Sequence, residues 1–353
     1  MPSISCAMSM GSSSPPSTIS PRSPGAPGRT WTCSLRPGRL TVAEFDLLTI
    51  GDLCVDLIID LGETLPRFGQ VEQWVPDYFL EMGGSTAICA CQAAKLGLRV
   101  AILGRVGDDP YGRLVLQRLQ ESGVDTRFVG VDAALKTGLG VALCKPDGDR
   151  AILTYGGSLN AVYPADVTDE FLDSGRHLHY GSYYLQTNLL PAVPAILSRA
   201  RARGLTVSLD TNWDPTQTWD GDLAAALAQV DLFFPNEQEA LAISRQATVE
   251  AALTALLART PIVAIKRGAA GALVGQGTQR WTVPVDPVAA IVDTVGAGDS
   301  FDAGFLAAWL AERSQFSIPA FREKPGEAWG ETTCGKLPKA PKNSTRSAPS
   351  KAP

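Results

Sequence analysis

The run Asp293-Thr-Val-Gly-Ala-Gly-Asp-Ser-Phe-Asp-Ala-Gly-Phe-Leu306 holds the residues best suited to chemistry. A Gly-x-Gly turn opens directly into an apolar helix, so free backbone N–H groups converge at a helix N-terminus. That is an anion site, and its glycines let an oxygen approach the backbone closely. Asp299 falls in the first turn among those donors. A carboxylate beside an anion hole suits one reaction well. It takes a proton from an alcohol while the N–H groups of Gly296, Ala297 and Gly298 hold the charge on a transferring phosphoryl group. Read alone, Asp299 can equally be a cap of its own helix.

Other phosphate chemistries are absent from the sequence. No G-x-x-x-x-G-K-[ST] occurs, which excludes a P-loop enzyme, and no G-x-G-x-x-G follows the first strand. His177-Leu-His179 puts two imidazoles on one face of a strand with no third ligand spaced for a metal, so a packed or hydrogen-bonded pair is expected. Cys89 and Cys91 read as small core residues.

The whole 293–306 string resembles the C-terminal signature of the ribokinase-like (PfkB) carbohydrate kinases at every position. The resemblance implies that Gly296, Ala297 and Gly298 form the anion hole and that Asp299 is the base. Further segments are similar in the same order. Gly51-Asp-Leu-Cys-Val-Asp56 matches the end of the family's first strand, where an aspartate grips substrate hydroxyls; two carboxylate oxygens can take adjacent hydroxyls of a polyol. Gly83-Gly84 resembles the first family signature, bare backbone lying against the sugar. Asn236 and Glu239 match N-x-x-E, which implies a phosphate-bound Mg²⁺ region held largely through water. Lys266-Arg-Gly-Ala-Ala-Gly271 resembles the nucleotide-side turn through Gly268 and Gly271, and Asp210 and Asn212 fall where the family carries a polar pair near the phosphates. Without the resemblance, Asp56 reads as a solvated strand end, Gly83-Gly84 as a tight turn, and Asn236 as a helix cap.

The implied activity is transfer of the ATP γ-phosphate to a hydroxyl of a sugar or sugar-like small molecule, with ATP and Mg²⁺ required and a homodimer through the lid expected. One position departs: the GG-x-x-x-N pattern would put Asn at 88, where this chain has Ile88. Ile88 neither donates nor accepts, which favours a less hydroxylated or bulkier acceptor and makes a nucleoside kinase of the same superfamily an alternative. The chain also departs from the family pattern after about residue 311, which makes a non-catalytic binding remnant the other alternative.

These residues need elements to position them. Strand-like runs at 46–58, 99–106, 139–144, 150–155, 178–184, 205–210, 230–235 and 261–266 mix with helical periodicity at 85–97, 111–122, 191–203, 221–229, 236–243, 248–259 and 297–311. The second half alternates strand and helix with short connections. That pattern predicts a ribokinase-like, doubly wound α/β fold, a mainly parallel sheet flanked by helices. Extra strands near 66–80 and 138–156 predict a small β lid.

The chain has 353 residues, a net charge of −5 and 45% hydrophobic residues, enough for a large core. Bulk acidity argues against a nucleic-acid partner, and no apolar run is long enough to span a membrane. Seven cysteines with no C-x-x-C pair suit a reducing cytoplasm. Residues 1–43 hold arginines, prolines and serines and are expected to be a disordered extension to a kinase domain at 44–312. Residues 313–353 turn abruptly Lys/Pro/Ser-rich and are expected to be disordered or out of frame. Because the helix at 301–310 is apolar on nearly every face, it needs neighbours all round. An exposed apolar patch there is the expectation if the tail cannot cover it.

Overall fold

The structure, a computed structural model, describes residues 43–147, 149–285 and 296–311. The expected extension and tail, with Asp293, lie outside the described residues. The chain runs β1 (Leu47–Ile50), β2 (Cys54–Asp60), β3 (Asp77–Gly83), α1 (Ser85–Lys95), β4 (Val100–Gly107), α2 (Pro110–Glu121), β5 (Val124–Asp125), β6 (Val129–Asp132), β7 (Gly138–Cys144) and β8 (Arg150–Tyr155). It continues with α3 (Asp169–Asp173), β9 (His177–Tyr180), α4 (Val193–Ala202), β10 (Thr206–Leu209), α5 (Leu223–Leu227), β11 (Leu232–Phe233) and α6 (Glu237–Ser244). Then come α7 (Val249–Leu257), β12 (Ile262–Lys266), β13 (Ala272–Gln276), β14 (Gln279–Val283) and α8 (Ala297–Ala311).

The main sheet has the order β14-β13-β12-β11-β10-β9-β1-β4-β5, with β6 also on β4. It is parallel from β12 through β5, and only β13 and β14 are antiparallel. Strand side chains alternate between two cores. Val263 and Ile265 of β12 join the layer with α4, α5 and α7, whereas Ile262 and Ala264 join the layer with α1, α2 and α8. Near-continuous apolar strands are what a sheet covered on both faces requires. The expected ribokinase-like α/β architecture is therefore present. The β13–β14 hairpin escaped the sequence reading because it interrupts the strand–helix alternation on which that reading relied.

Two other expectations change. The run 46–58 is not one strand: at Gly51-Asp52-Leu53 the chain leaves the main sheet, and β2 enters a separate four-stranded sheet of order β3-β2-β7-β8. This is the lid. Its expected first strand at 66–80 is instead β3, and most of 66–76 is irregular. Asp56 consequently lies inside a lid strand, paired with Glu81 and Gly140, rather than at the end of the first strand. The apolar helix also differs from expectation. Phe305, Leu306, Trp309 and Leu310 of α8 are buried, and Ala307 and Ala308 are half-buried. Its partners include α1, Phe234 and the edge of His177, whose ring centroid is 5.3 Å from that of Trp309.

The two histidines form the hydrogen-bonded pair expected of them. His177 Nδ1 and Nε2 lie 2.8 Å from the hydroxyls of Thr206 and Ser208, and His179 Nδ1 shares Ser208. Burial pushes the His179 imidazole down to about 4, so it is neutral. Cys89 and Cys91 are buried and outside any disulfide.

Chain order reverses at β1, which is flanked by β4 on one side and β9 on the other. Open α/β sheets bind ligands at the carboxyl ends of strands at such a switch point. The backbone there is closely packed: a methyl on Gly51 would lie 1.8 Å from Thr86 Oγ1, and one on Gly181 2.3 Å from the same atom. Gly51→Ala should destabilise the fold by about 2 kcal/mol through overpacking. Adding Thr86→Ala should recover much of that loss in urea titrations, because both changes act on one contact.

Candidate active site

At the carboxyl ends of β1, β9, β10, β11 and β12 the chain places Asp52, Ser182, Asp210, Asn236 and Lys266, and α8 enters above them with Asp299. The N-terminus of α1 organises the acceptor side. Gly84, its first boundary residue, has φ 94° and no side chain to cap the helix. The cap comes from Asp52, whose carboxylate accepts the N–H of Ser85 at 3.1 Å, the N–H of Thr86 at 3.0 Å and the hydroxyl of Ser182 at 2.8 Å. A Cβ on Gly84 would sit 2.5 Å from the Asp52 carbonyl oxygen, so only glycine allows this approach.

The neighbouring glycine makes room for Asp56. A methyl on Gly83 would fall 2.2 Å from the Asp56 carboxyl carbon, and one on Gly140 2.4 Å from its Oδ1. The Asp56 carboxylate thus lies across bare backbone of β3 and β7, with the Cys54 thiol at 3.8 Å. Ser85 carries the connection onward. Its hydroxyl takes a hydrogen bond from Asn212 Nδ2 at 3.2 Å and bonds to the Asp299 carboxyl. Residues 83–85 therefore span from Asp56 to Asp299, the two acids the sequence reading paired.

The turn before α8 has the anticipated shape. Gly296 has φ 75°, and a helical hydrogen bond runs from Ser300 N to Gly296 O at 2.9 Å. The N–H groups of Ala297, Gly298 and Asp299 precede it and belong to the first turn, which has no intrahelical acceptors. Ile88 is buried behind this turn, its Cγ2 3.1 Å from where a Gly296 Cβ would be. The unexpected Ile88 thus packs against the anion turn.

On the other side the structure assigns the polar residues differently. Asn236 and Glu239 form a capping box: Glu239 N donates to Asn236 Oδ1 at 2.9 Å, and Asn236 N to Glu239 Oε2 at 2.8 Å. Lys266 turns inward, with Nζ 2.5 Å from Asp210 Oδ2 and 3.1 Å from Asp302 Oδ2. Asp210 also accepts the Asn212 N–H at 2.7 Å. Gly268 (φ 53°) opens a short turn with free space around it, while a methyl on Gly271 (φ 80°) would strike Val283 O.

Burial governs the charges. It pushes Asp299 up to about 8; Lys266 opposes the shift, and Asp210 and Asp52 add to it. Burial likewise lifts Glu239 to about 7. Asp302 is driven well above the carboxylate range by burial and by Asp210, although Lys266 opposes this. For Asp210 burial is the largest effect and raises it, but the Lys266 ammonium together with hydrogen bonds from Asp302, Lys266 and the Asn212 N–H holds the carboxyl below its usual value. A proton on Asp302 shared with ionised Asp210 satisfies both. Asp52, Ser85, Ser182 and Asp302 were not singled out from sequence. Only Asp302 carried a signal, an acid on the buried side of an apolar helix.

The chain matches the profile of the pfkB family carbohydrate kinases over residues 45–316. It is 34% identical over 230 residues to an ATP-dependent ribose-1-phosphate kinase of Halopiger xanaduensis, covering 65% of this chain and 74% of that one. A fructokinase of Klebsiella pneumoniae is 31% identical over 313 residues, 86% and 95% of the two chains. An E. coli protein described as a ribokinase II, solved with ATP and Mg²⁺, superposes with a TM-score of 0.66 at 25% identity, covering 78% of this chain and 88% of the other.

The chain belongs to the pfkB family of carbohydrate kinases. Its activity is that of the family, ATP-dependent phosphorylation of a sugar. Among the described residues no helix is long and apolar enough to cross a membrane.

Because the folded Asp299 titrates near 8 and its ordinary value is 3.8, the folded state holds a proton there that the unfolded chain has lost. Stability from this group therefore falls as pH rises from about 4 to 8. Asp299→Asn should melt at a higher temperature than the parent at about pH 8, with the gap closing towards about pH 4. A variant that melts lower at every pH would show Asp299 to be a stabilising cap instead.

Proposed function

We propose that this kinase transfers the ATP γ-phosphate to a hydroxyl of a sugar or sugar-like small molecule bound between the lid and the 296–299 turn. The observation carrying this reading is the three-residue bridge 83–85, which links the Asp56 carboxylate to the Asp299 carboxyl. Asp56 takes acceptor hydroxyls, and the bare backbone of Gly83 and Gly84 lets the ring lie close. Asp299, ionised, removes the proton of the attacking hydroxyl, and Ser85 orients it. The N–H groups of Gly296, Ala297 and Gly298 face the charge developing on the transferred group. The turn at Gly268 and Gly271 lies on the nucleotide side, with Asp210 and Asn236 near the phosphates.

Mg²⁺, when bound, neutralises phosphate charge. Glu239 would hold it through water, since one carboxylate oxygen is committed to the cap of α6 and no cluster of three metal-ligating acids or histidines occurs among the described residues. Lys266, expected on the nucleotide, has its ammonium in a carboxylate cage and is left out of that role.

A nucleoside acceptor is the second reading. Ile88 supplies an apolar wall at the anion turn, and Trp213, 41% exposed, follows the Asn212 that bonds Ser85. We read the lid as the dimer contact: β8 is exposed throughout, with Ile152 57%, Leu153 63% and Tyr155 52% exposed. A cytoplasmic location suits the cysteines outside any disulfide.

Screening ATP consumption against pentoses, hexoses, sugar acids and nucleosides should find one acceptor class, with kcat/KM rising through about pH 8 as Asp299 ionises. Asp299→Asn should lose about a thousandfold in kcat. Turnover that survives the substitution removes Asp299 as base, and binding without turnover in the parent identifies a remnant. For the lid, Leu153→Asp should convert a dimer to a monomer in light scattering.

A further inference from the structure

We propose that Lys266 is a positioning residue, which with Asp210 and Asp302 forms a buried charged post that fixes the start of α8 and sets one positive charge behind the anion turn. The three groups come from three elements: the ends of β10 and β12 and the second turn of α8. Side-chain exposure is 13% for Lys266, 8% for Asp210 and 2% for Asp302. Nζ spends its donors inward, at 2.5 Å on Asp210 Oδ2 and at 3.1 and 3.3 Å on the two oxygens of Asp302. It also lies 3.5 Å from where a Gly298 Cβ would stand, so the ammonium touches the back of the turn. Lysine backbone geometry supports the same placement, since Lys266 N donates to Pro235 O at 2.9 Å and pins β12 beside the cap of α6.

Such a post acts on Asp299 through charge. The groups around Asp299 are Ser85 from α1, Asp52 after β1, Asp210 after β10, Lys266 from β12 and Asp302 one turn along its own helix; Glu239 of α6 and the Cys89 thiol of α1 face the same cluster. Lys266 is the one cation in that set. It lowers the proton affinity of Asp299, whereas Asp210 and Asp52 raise it. A lysine serving as nucleotide ligand would instead point its head into the cleft.

This role rests on the reading of the 296–299 turn given above, yet neither test below uses an acceptor, so a wrong acceptor leaves both intact. The first follows the Asp299 carboxyl by ¹³C NMR titration, assigned with Asp299→Asn. The second measures MgADP affinity by calorimetry. In Lys266→Met the Asp299 midpoint should rise by about one pH unit, while the MgADP Kd stays within about threefold of the parent. An unmoved midpoint overturns the electrostatic role, and a Kd weakened tenfold or more overturns it in favour of direct nucleotide contact. Should Lys266→Met not fold, Lys266→Arg keeps the charge but not the fit. It should hold the midpoint while amide exchange at 296–300 quickens about tenfold; unchanged exchange then overturns the positioning role.

Discussion

The arrangement depends on one buried carboxylate that caps a helix it does not belong to. Helix α1 begins at Ser85 after a glycine that offers no side chain, and Asp52, thirty-three residues earlier, takes the Ser85 and Thr86 amides and the Ser182 hydroxyl. Burying a carboxyl group is costly unless its lone pairs are filled, and three hydrogen bonds offset the cost here. The result is mechanical. The end of β1, the start of α1 and the end of β9 are tied at one point, at the switch in strand order. That tie leaves Ser85 Oγ free to serve Asn212 and Asp299. A capping serine at position 84 would satisfy α1 locally, but its Cβ would collide with the Asp52 carbonyl.

The charges around that tie are unbalanced. Asp210, Glu239, Asp299 and Asp302 gather around Lys266, and four carboxylates cannot all stay ionised beside a single ammonium in a dry interior. The cluster resolves this by holding protons on the acids other than Asp210, which lies nearest the ammonium at 2.5 Å. Asp302 and Asp299 move up and Glu239 follows, while Asp210 stays ionised against Lys266. The same burial that makes Asp299 a poor acid in isolation poises it near the pH at which a general base exchanges protons. Structural and chemical demands thus act on the same atoms. Removing any one member changes the protonation of the others rather than deleting one contact.

Much of this was legible in the chain itself. The alternation of strands and helices in the second half of the chain pointed to the parallel sheet, because most of its apolar runs have a length and flanks that suit only one element. The 293–306 string placed an acid at a glycine turn. What stayed hidden depends on contacts between distant residues. The run 46–58 shows continuous β character, and nothing local says that Gly51-Asp52-Leu53 carries it from one sheet to another. Asn236 and Glu239 have a spacing that serves a capping box and a metal region equally well, and only the hydrogen bonds show the cap. Lys266 beside two glycines looks like a phosphate ligand; its inward turn is decided by Asp210 and Asp302, 56 and 36 residues away.

The split of the first β run also determines how the lid and core can move. Asp56 and Gly83 belong to paired strands of one sheet, with Cys54 opposite Gly83 in register, so any tilt of the lid carries both together. Ser85 belongs to α1 and stays with the core through Asp52. The single residue between the two is Gly84, held at φ 94°, where rotation meets no Cβ. The connection Gly51-Asp52-Leu53 is fixed at its middle by the same hydrogen bonds, and two more join the lid to the core, before β7, where Thr137 N and its hydroxyl donate to Asp109, and after β8. A tilt of the lid would swing Asp56 relative to Asp299 while leaving Asp299 and Ser85 undisturbed. The distance between those two carboxyls would then follow the lid, and the charged post beneath α8 would stay at rest.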